Sequence, residues 1–332
     1  MHQERHSGHE GHGGFFRDAL NGIFTGIPAV GTGTLVTFND GITVTPITSS
    51  VITLGVGTNL LVDNQDGAVI TGGNGDNFVL EYGANAIITV GDGREIIIAR
   101  AGSARVTTGD GRATILLGGT NNGVTVGNNT AGEHHRSFID AGTGVAIVTA
   151  GNGDVTVKAG GVANNITLGN GDDHVRMGFF TDGTPLAAPT AVTGSTLTLG
   201  NGHNMVFLNG SADTLIGGTG TDTYYAGLSA NEDFLVNIGG GNETIVDFNA
   251  ASGDKVDLSW ILSDHGFSAD PALAAVALAD FVSVSTTQGG CDGERTDTVL
   301  TVKGTGGTAT VTLANTNASG LGDLMGSLRL PH

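Results

Sequence analysis

The sequence predicts an all-β fold, a parallel β-roll or β-solenoid built from coils of 18 residues. Between residues 54 and 126 a large aliphatic residue recurs at every ninth position, and a Gly-x-Gly motif recurs at every eighteenth. Repetition at a short fixed period is typical of solenoids. Nine residues suffice for a strand and a tight turn but not for a helical repeat. The aliphatic series is Leu61, Ile70, Val79, Ile88, Ile97, Val106, Ile115 and Val124, and the glycine motifs begin at Gly55, Gly73, Gly91 and Gly109.

The aliphatic residue of each unit lies in the middle of its predicted strand and points inward, because side chains alternate between the two faces of a strand. Two units form one coil, and stacked coils form two parallel sheets with a thin apolar core between them. The glycines supply the positive φ values that sharp turns require. The series resumes at Val148, Val157, Ile166 and Val175, and again at Leu197, Val206, Leu215 and Tyr224. We therefore expect solenoid repeats over residues 51–228, with insertions near 128–145 and 177–194.

The repeat unit resembles the nonapeptide of RTX proteins, Gly-Gly-x-Gly-x-Asp-x-(aliphatic)-x. Residues 217–225 match this pattern, residues 169–175 match part of it, and residues 72–80 depart at one place, where Asn replaces Asp. The resemblance covers roughly residues 50 to 228. It implies a parallel β-roll that binds calcium in its turns.

After Tyr225 the nine-residue rhythm ends, and residues 229–332 are expected to form a C-terminal region. Residues 243–248 and 253–259 resemble the closing domain of serralysin-type and other RTX proteins, which accompanies an uncleaved secretion signal read by an ABC exporter. The resemblance implies a location outside the cell or on the surface of a Gram-negative bacterium. In this region we expect a helix over 271–282, two strands over 298–302 and 309–313, and a weakly helical tail over 321–330.

The first 50 residues precede the regular coils. Residues 1–14 are polar and rich in glycine, which predicts disorder, and their histidines are either part of a flexible tail or ligands of a transition metal. Residues 15–50 are expected to begin with a short helix over 15–24, which either caps the open end of the solenoid or docks on another copy. The histidines of the tail are His2, His6, His9 and His12.

The composition narrows the range of partners. The chain has 332 residues and a net charge of −19, which argues against nucleic acid as a partner and is compatible with bound divalent cations. No run of eighteen apolar residues occurs, so we expect no membrane-spanning segment, and the N-terminus lacks the apolar core of a secretory signal. Cys291 is the single cysteine, and it is expected to be a free thiol in a turn or to form an intermolecular disulfide.

The RTX resemblance assigns candidate calcium ligands. In that family the metal-binding Asp lies two residues before the inward aliphatic residue, and calcium prefers carboxylate and carbonyl oxygens. The early coils carry mainly Ala or Asn at this position and are expected to be largely free of calcium, with one weak exception. The alternative is a set of acidic turn residues that bind no metal. The candidate ligands are Asp172, Asp173, Asn204, Asp213 and Asp222 in the later coils, and the weak exception is Asp76 with Asn77.

No catalytic motif is expected. The chain lacks a His-Glu-x-x-His helix, a Gly-x-Ser-x-Gly elbow and a phosphate-binding loop. His134, His135, Ser137 and Asp140 are residue types that occur in catalytic triads, but they lie together in one short insertion, where the polarity of a surface loop explains them.

The outward faces of the two predicted sheets differ. One carries a predicted apolar interface, unless the N-terminal segment or an insertion covers it. The other carries a column of threonines, as ice-binding solenoids do, although its neighbouring column is irregular. The interface residues are Leu60, Val62, Phe78, Leu80, Ile96, Ile98 and Leu116, and the threonines are Thr71, Thr89, Thr107, Thr125, Thr149, Thr167 and Thr198.

These features together predict a secreted, calcium-binding structural protein. We expect it to assemble with itself into a surface layer, an extracellular filament or a biofilm matrix. An adhesin or ice-binding module is the alternative, and an enzyme is third.

Overall fold

The structure of the protein, a computed structural model, confirms the predicted fold class. It describes residues 37–38, 46–47, 51–129, 136–161, 163–178, 194–208, 212–226, 233–235, 241–259, 262, 266–268, 270–289, 295–304 and 307–331. The predicted histidine tail, the helix over 15–24, His134, His135 and Cys291 lie outside these residues, as does most of the insertion near 177–194.

Two long sheets contain nearly all the regular structure, and successive strands along the chain alternate between them. Sheet A has thirteen strands and sheet B has fourteen. The strands of sheet A are β1 (Thr37–Phe38), β3 (Val51–Leu54), β5 (Val69–Thr71), β7 (Ile87–Thr89), β9 (Arg105–Thr107), β11 (Asn122–Val126), β13 (Ala146–Ala150), β15 (Asn165–Thr167), β17 (Thr196–Thr198), β19 (Thr214–Ile216), β21 (Asp233–Leu235), β23 (Lys255–Asp257) and β27 (Leu328–Arg329). The strands of sheet B are β2 (Pro46–Ile47), β4 (Asn59–Asp63), β6 (Asn77–Glu81), β8 (Gly93–Ala99), β10 (Gly111–Leu117), β12 (Ser137–Asp140), β14 (Val155–Ala159), β16 (His174–Met177), β18 (Met205–Phe207), β20 (Thr221–Tyr225), β22 (Asn242–Val246), β26 (Gly307–Leu313), β25 (Arg295–Gly304) and β24 (Val282–Gly289).

Equivalent residues of successive coils are stacked in register, which is the arrangement that the nine-residue period predicts. Leu61 pairs with Val79 in sheet B, and Ile70 pairs with Ile88 in sheet A. All four side chains are at most 1% exposed, so the aliphatic series forms the apolar core between the sheets. The two insertions only lengthen individual coils, because Ile115 still pairs with Ile139.

The sheets continue past the predicted boundary at residue 228. Strands β21, β22 and β23 extend both sheets in parallel, and β26 and β27 follow them. The loss of the nine-residue rhythm therefore reflects longer connections between strands and not the end of the stack. In the part of the chain that the structure describes, the strand order of both sheets runs on from the coils into the C-terminal region.

The C-terminal elements agree in kind with the expectations. Helix α1 (Pro271–Leu278) begins after Asp270, whose side chain accepts a hydrogen bond from the backbone N–H of Ala272. The two expected strands are the longer β25 and β26, which pair antiparallel, and β24 extends this hairpin to three strands. The tail contains the short helix α2 (Leu321–Leu324), a 3₁₀ turn (Met325–Ser327) and β27, and another 3₁₀ turn covers Ala250–Ser252.

The close stacking of turns explains the periodic glycines. Gly75 has a φ of +129°, and a Cβ atom at this position would collide with the backbone of Gly57 in the preceding coil. The turn therefore excludes any side chain for two independent reasons, the backbone conformation and the approach of the neighbouring coil.

Replacing this glycine should destabilise the solenoid. We expect Gly75→Ala to lower the free energy of unfolding by about 2–3 kcal/mol, because the added methyl group forces two coils apart. Gly322→Ala is the matched control, since Gly322 is exposed, has no atom near its Cβ position and lies in α2. Denaturant unfolding monitored by circular dichroism measures both variants, and equal midpoints for the two would contradict the stacking argument.

Candidate functional site

A column of polar side chains runs through the interior of sheet B, at the first inward position of each strand. This position follows the glycine turn directly and lies two residues before the aliphatic core residue. Polar groups in such a place need hydrogen bonds or a cation, because burial removes them from water. The polar members of the column are Asn59, Asn77, Glu95, Ser137, Asp173, Asn204, Asp222 and Glu243, and each is at most 3% exposed.

In the early coils the column is held by side-chain amides. Asn59 Nδ2 donates to the carbonyl oxygens of Gly55 and Gly57, at 2.9 and 3.2 Å, and to Asn77 Oδ1 at 2.8 Å. Its N–H groups thus point into the oxygens that line the turn. The geometry provides an internal substitute for a cation at this position.

Asn77 repeats the arrangement one coil later. Its Nδ2 donates to Gly73 O and Gly75 O, at 3.3 and 3.2 Å, and to Glu95 Oε1 at 3.2 Å. The neighbouring Asp76 is partly exposed and forms an ion pair of 2.9 Å with Arg94. Both members of the predicted weak calcium site therefore already have polar partners.

In the later coils the column is acidic. Asp173 Oδ1 accepts a hydrogen bond from the backbone N–H of Val155 at 2.8 Å, and its Oδ2 has no hydrogen-bond donor. Asn204 Oδ1 accepts from Asp173 N, and Asp222 Oδ1 accepts from Asn204 N at 2.8 Å. Each side chain thus binds the backbone of the coil before it, so Asp173, Asn204 and Asp222 stand in one column.

The acidic column ends in a cluster that the sequence did not predict. The hydroxyl of Tyr224 lies 3.0 Å from Asp222 Oδ2 and 2.9 Å from Glu243 Oε2, but its single proton can be donated to only one of them. Tyr224 occupies the inward position that an aliphatic residue fills in the other coils. Its hydroxyl is also a hydrogen-bond donor. A tyrosine at that position is the sequence signal that marks the cluster.

Three oxygen atoms lie close to Gly241 beside this cluster. They are Glu243 Oε1, Gly220 O and Gly218 O, at 2.8, 3.2 and 3.4 Å from the point where a Cβ atom on Gly241 would lie. Carboxylate and carbonyl oxygens are the donors that calcium prefers. In the described part of the chain no three His, Cys, Asp or Glu side chains are arranged to hold a metal, so a cation here would also need these backbone oxygens.

Burial disfavours the ionised form of these carboxyl groups. It raises the pKa of Asp173 to about 7, and it raises the pKa of Glu243 to about 8 with a further contribution from Asp222. Burial also raises the pKa of Glu95 to about 8. Without a cation, folding therefore requires protons on these groups near neutral pH.

The other two candidate ligands in the later coils lie elsewhere. Asp213 occupies the corresponding column of sheet A, where its Oδ1 accepts from Ser195 N at 2.6 Å, and burial raises its pKa to about 6. Asp172 is exposed in a turn, and its Oδ1 accepts from His203 N at 2.8 Å. The five predicted residues thus belong to three different places, which the spacing alone could not separate.

A second polar ladder, on the surface, was also not predicted. The residue after the first glycine of each turn accepts, through its side-chain oxygen, the backbone N–H of the equivalent residue in the next coil, at 2.7–3.0 Å. The signal was present as Asn or Asp directly after the first glycine of successive turns. The ladder contains Asn74, Asp92, Asp110, Asn128, Asn152, Asn170 and Asn201 and ends on the N–H of Thr219.

The residue types that resembled a triad do not converge where they are described. Ser137 points inward, and its hydroxyl accepts from Ala113 N at 3.1 Å. Asp140 lies on the outer face of the same strand and accepts from Gly142 N. Both residues belong to β12 and therefore to the solenoid, and not to a surface loop.

The predicted interface on the outer face of sheet B requires a correction. Leu60, Phe78, Ile96, Ile98 and Leu116 are partly exposed there, but Val62 is only 7% exposed and Leu80 only 1%. These two residues are covered within the single chain. Strand alternation gives the direction of a side chain but does not say what lies above it.

The most exposed apolar column lies on sheet A instead. Val51, Ile87 and Ile147 are 50%, 45% and 58% exposed, and Val69 is 36% exposed. Beside it stand eight threonines in register on consecutive strands of this sheet. They are Thr53, Thr71, Thr89, Thr107, Thr125, Thr149, Thr167 and Thr198.

This face of sheet A is almost free of charge. From β3 to β19, Arg105 is the single charged residue among the outward-facing positions, although the chain carries 32 acidic residues. The face that consists of these positions is called the threonine face below.

The buried acids predict an unusual pH dependence. With a chelator present, we expect the melting temperature to fall by roughly 5 °C or more between pH 5 and pH 8. The folded pKa values near 7 and 8 exceed those of the unfolded chain, so the folded state loses its stabilising protons as the pH rises. The double variant Asp173→Asn with Glu243→Gln should flatten this slope. A melting temperature that stays constant or rises over this range would contradict the assignment.

The assignment of this chain to a structural class rests on its fold. No family model, no curated protein and no solved structure matches the chain. No helix of the described residues is long and apolar enough to cross a membrane. The repeat period and the register of the two sheets together identify the chain as a parallel β-solenoid that fits a β-roll repeat protein.

Proposed function

We propose that this protein is a secreted, calcium-stabilised structural solenoid that assembles with copies of itself. The threonine face carries the proposal, because it is ordered, uncharged and partly apolar on a strongly acidic chain. Exposed apolar patches on soluble proteins commonly mark interaction surfaces.

Calcium would stabilise the later coils. Asp173 supplies a buried carboxylate with one oxygen that lacks a donor, and Glu243 supplies another beside the carbonyl oxygens of Gly218 and Gly220. A bound calcium ion would supply the positive charge that lets these groups remain ionised. Its binding free energy then adds to the stability of the folded state.

Export is supported by resemblance alone. Residues 243–248 and 253–259 resemble the closing region of RTX proteins, and that resemblance implies an ABC exporter and a Gram-negative source. Calcium is scarce in the cytosol and abundant outside the cell. Acidic coils that need calcium would therefore complete their folding only after export.

A second copy is the partner that the threonine face fits best. Two chains with a net charge of −19 repel each other over most of their surfaces, and this face is where the repulsion is weakest. Strands in both copies repeat at about 4.8 Å, so the side-chain columns of two faces can interlock over many coils. A second copy also repeats the same coil along its whole stack, so the match of period extends over many strands.

Charge on the threonine face should block assembly. We expect Ile87→Lys with Ile147→Lys to raise the concentration needed for half-assembly by roughly tenfold or more, because two apolar contacts are lost and like charges meet. Ile96→Lys with Ile98→Lys, on sheet B, is the matched control and should assemble normally. Light scattering and electron microscopy measure the result. If only the sheet B variant fails to assemble, the interface lies on sheet B.

The threonine column also favours a second function, binding to an ordered surface such as ice. Eight threonines repeat in register at the spacing of the strands, and seven of them are exposed to solvent. This function predicts inhibition of ice recrystallisation by the intact chain, with loss of the effect in Thr107→Lys with Thr125→Lys. Growth of ice crystals at the same rate with and without the intact protein would exclude it.

A further inference from the structure

Strands β4 and β6 carry two buried polar pairs, one near each end. Asn59 pairs in register with Asn77, and Asp63 pairs in register with Glu81. All four side chains are at most 2% exposed. The two pairs have the same strand spacing and the same depth, so they differ mainly in chemistry.

The amide pair provides its own link between the coils. Asn59 Nδ2 donates to Asn77 Oδ1 at 2.8 Å, so a donor of one side chain meets an acceptor of the other. An amide carries both kinds of group, and the contact requires no additional atom.

The acid pair lacks such a link. Asp63 Oδ1 accepts from the N–H of Asn64 at 2.9 Å, and Glu81 Oε1 accepts from the N–H of Gly83 at 2.5 Å. The remaining oxygens, Asp63 Oδ2 and Glu81 Oε2, have no hydrogen-bond partner. When both carboxyl groups are ionised they are acceptors only, so the pair needs either a shared proton or a cation to satisfy it.

The surroundings of the acid pair provide no compensating charge in the part of the chain that the structure describes. The next inward residue of the column is Ala99, and no ion pair of the described residues includes Asp63 or Glu81. Burial raises the pKa of Glu81 to about 8, and the neighbouring carboxylate of Asp63 raises it further. Whenever both groups are ionised, two buried carboxylates on paired strands call for a positive species between them.

We propose that Asp63 and Glu81 bind a divalent cation of the calcium type at the first complete coils. Their two unpartnered oxygens would contact the ion, and water and backbone oxygens would complete its coordination. This site lies two residues after the inward aliphatic residue, whereas the acidic column of the later coils lies two residues before it. It is therefore a separate site, in coils whose turn position is closed by Asn59 and Asn77.

Tyr82 provides a local probe of this site, because it follows Glu81 directly. Terbium(III) replaces calcium in oxygen-rich sites and emits light when a nearby aromatic ring is excited. We expect terbium bound to the intact chain to show an emission component that calcium displaces. Tyr82→Phe should remove this component and leave the number of calcium ions bound unchanged.

Removal of the two charges should abolish the site. We expect Asp63→Asn with Glu81→Gln to bind one calcium ion fewer than the intact chain in calorimetric titration. The variant should fold, since Asn59 and Asn77 already form an amide pair between the same two strands. Asp92→Asn with Asp110→Asn is the matched control, because it removes the same charge from the exposed ladder and retains the accepting oxygens.

Two results would overturn the proposal. One is unchanged calcium stoichiometry in the Asp63→Asn, Glu81→Gln variant, which would mean that the carboxyl groups share protons instead. The other is terbium emission that is the same with and without Tyr82, and this result decides the matter even if the double variant does not fold. Loss of calcium from the later coils would affect neither readout.

Discussion

In-register parallel stacking is the constraint on which the rest of the structure depends. Each residue lies directly above its equivalent in the preceding coil, so a residue type chosen once is repeated as a column. A column of aliphatic residues forms a core, and a column of glycines permits close approach of the turns. A column of buried acids destabilises the fold unless protons or cations compensate its charge. The chemistry of the protein therefore follows from what each column contains and not from any single residue.

The interior polar column illustrates two solutions to the same problem. Asn59 and Asn77 fill the oxygen-lined space behind the turn with amide N–H groups, so that position needs no ion from solution. Asp173 and Glu243 place carboxyl groups there, and their ionised forms are costly without a cation. A change from amide to acid at one position thus converts a self-sufficient coil into one whose stability depends on its surroundings.

The sequence predicted the features that repeat and missed those that depend on depth or on long connections. The aliphatic period identified the core from Leu61 to Tyr224, because an inward residue at fixed spacing has one structural explanation. Glu243 was missed as a member of the acidic column, since the longer connection after Tyr225 hides its register. Leu80 was expected at an outward apolar interface unless the chain itself covered it, and it is buried, because strand alternation gives the direction of a side chain and not what lies above it. Asp172 and Asp173 are adjacent in sequence, yet one is exposed and the other is buried.

The last strands of sheet B have a consequence for the shape of any larger assembly. Beyond β26 the sheet continues through β25 and β24, which run antiparallel to each other, whereas sheet A ends at the two-residue strand β27. The C-terminal end of the rod therefore does not present two flush parallel edges onto which another rod could continue the same winding. Its outermost strand, β24, exposes mainly Ser, Thr and Gln side chains. This strand contains none of the charged side chains that keep many edge strands from pairing. Among the described residues, the stack thus ends in a polar antiparallel edge of sheet B and not in a continuation of the parallel winding.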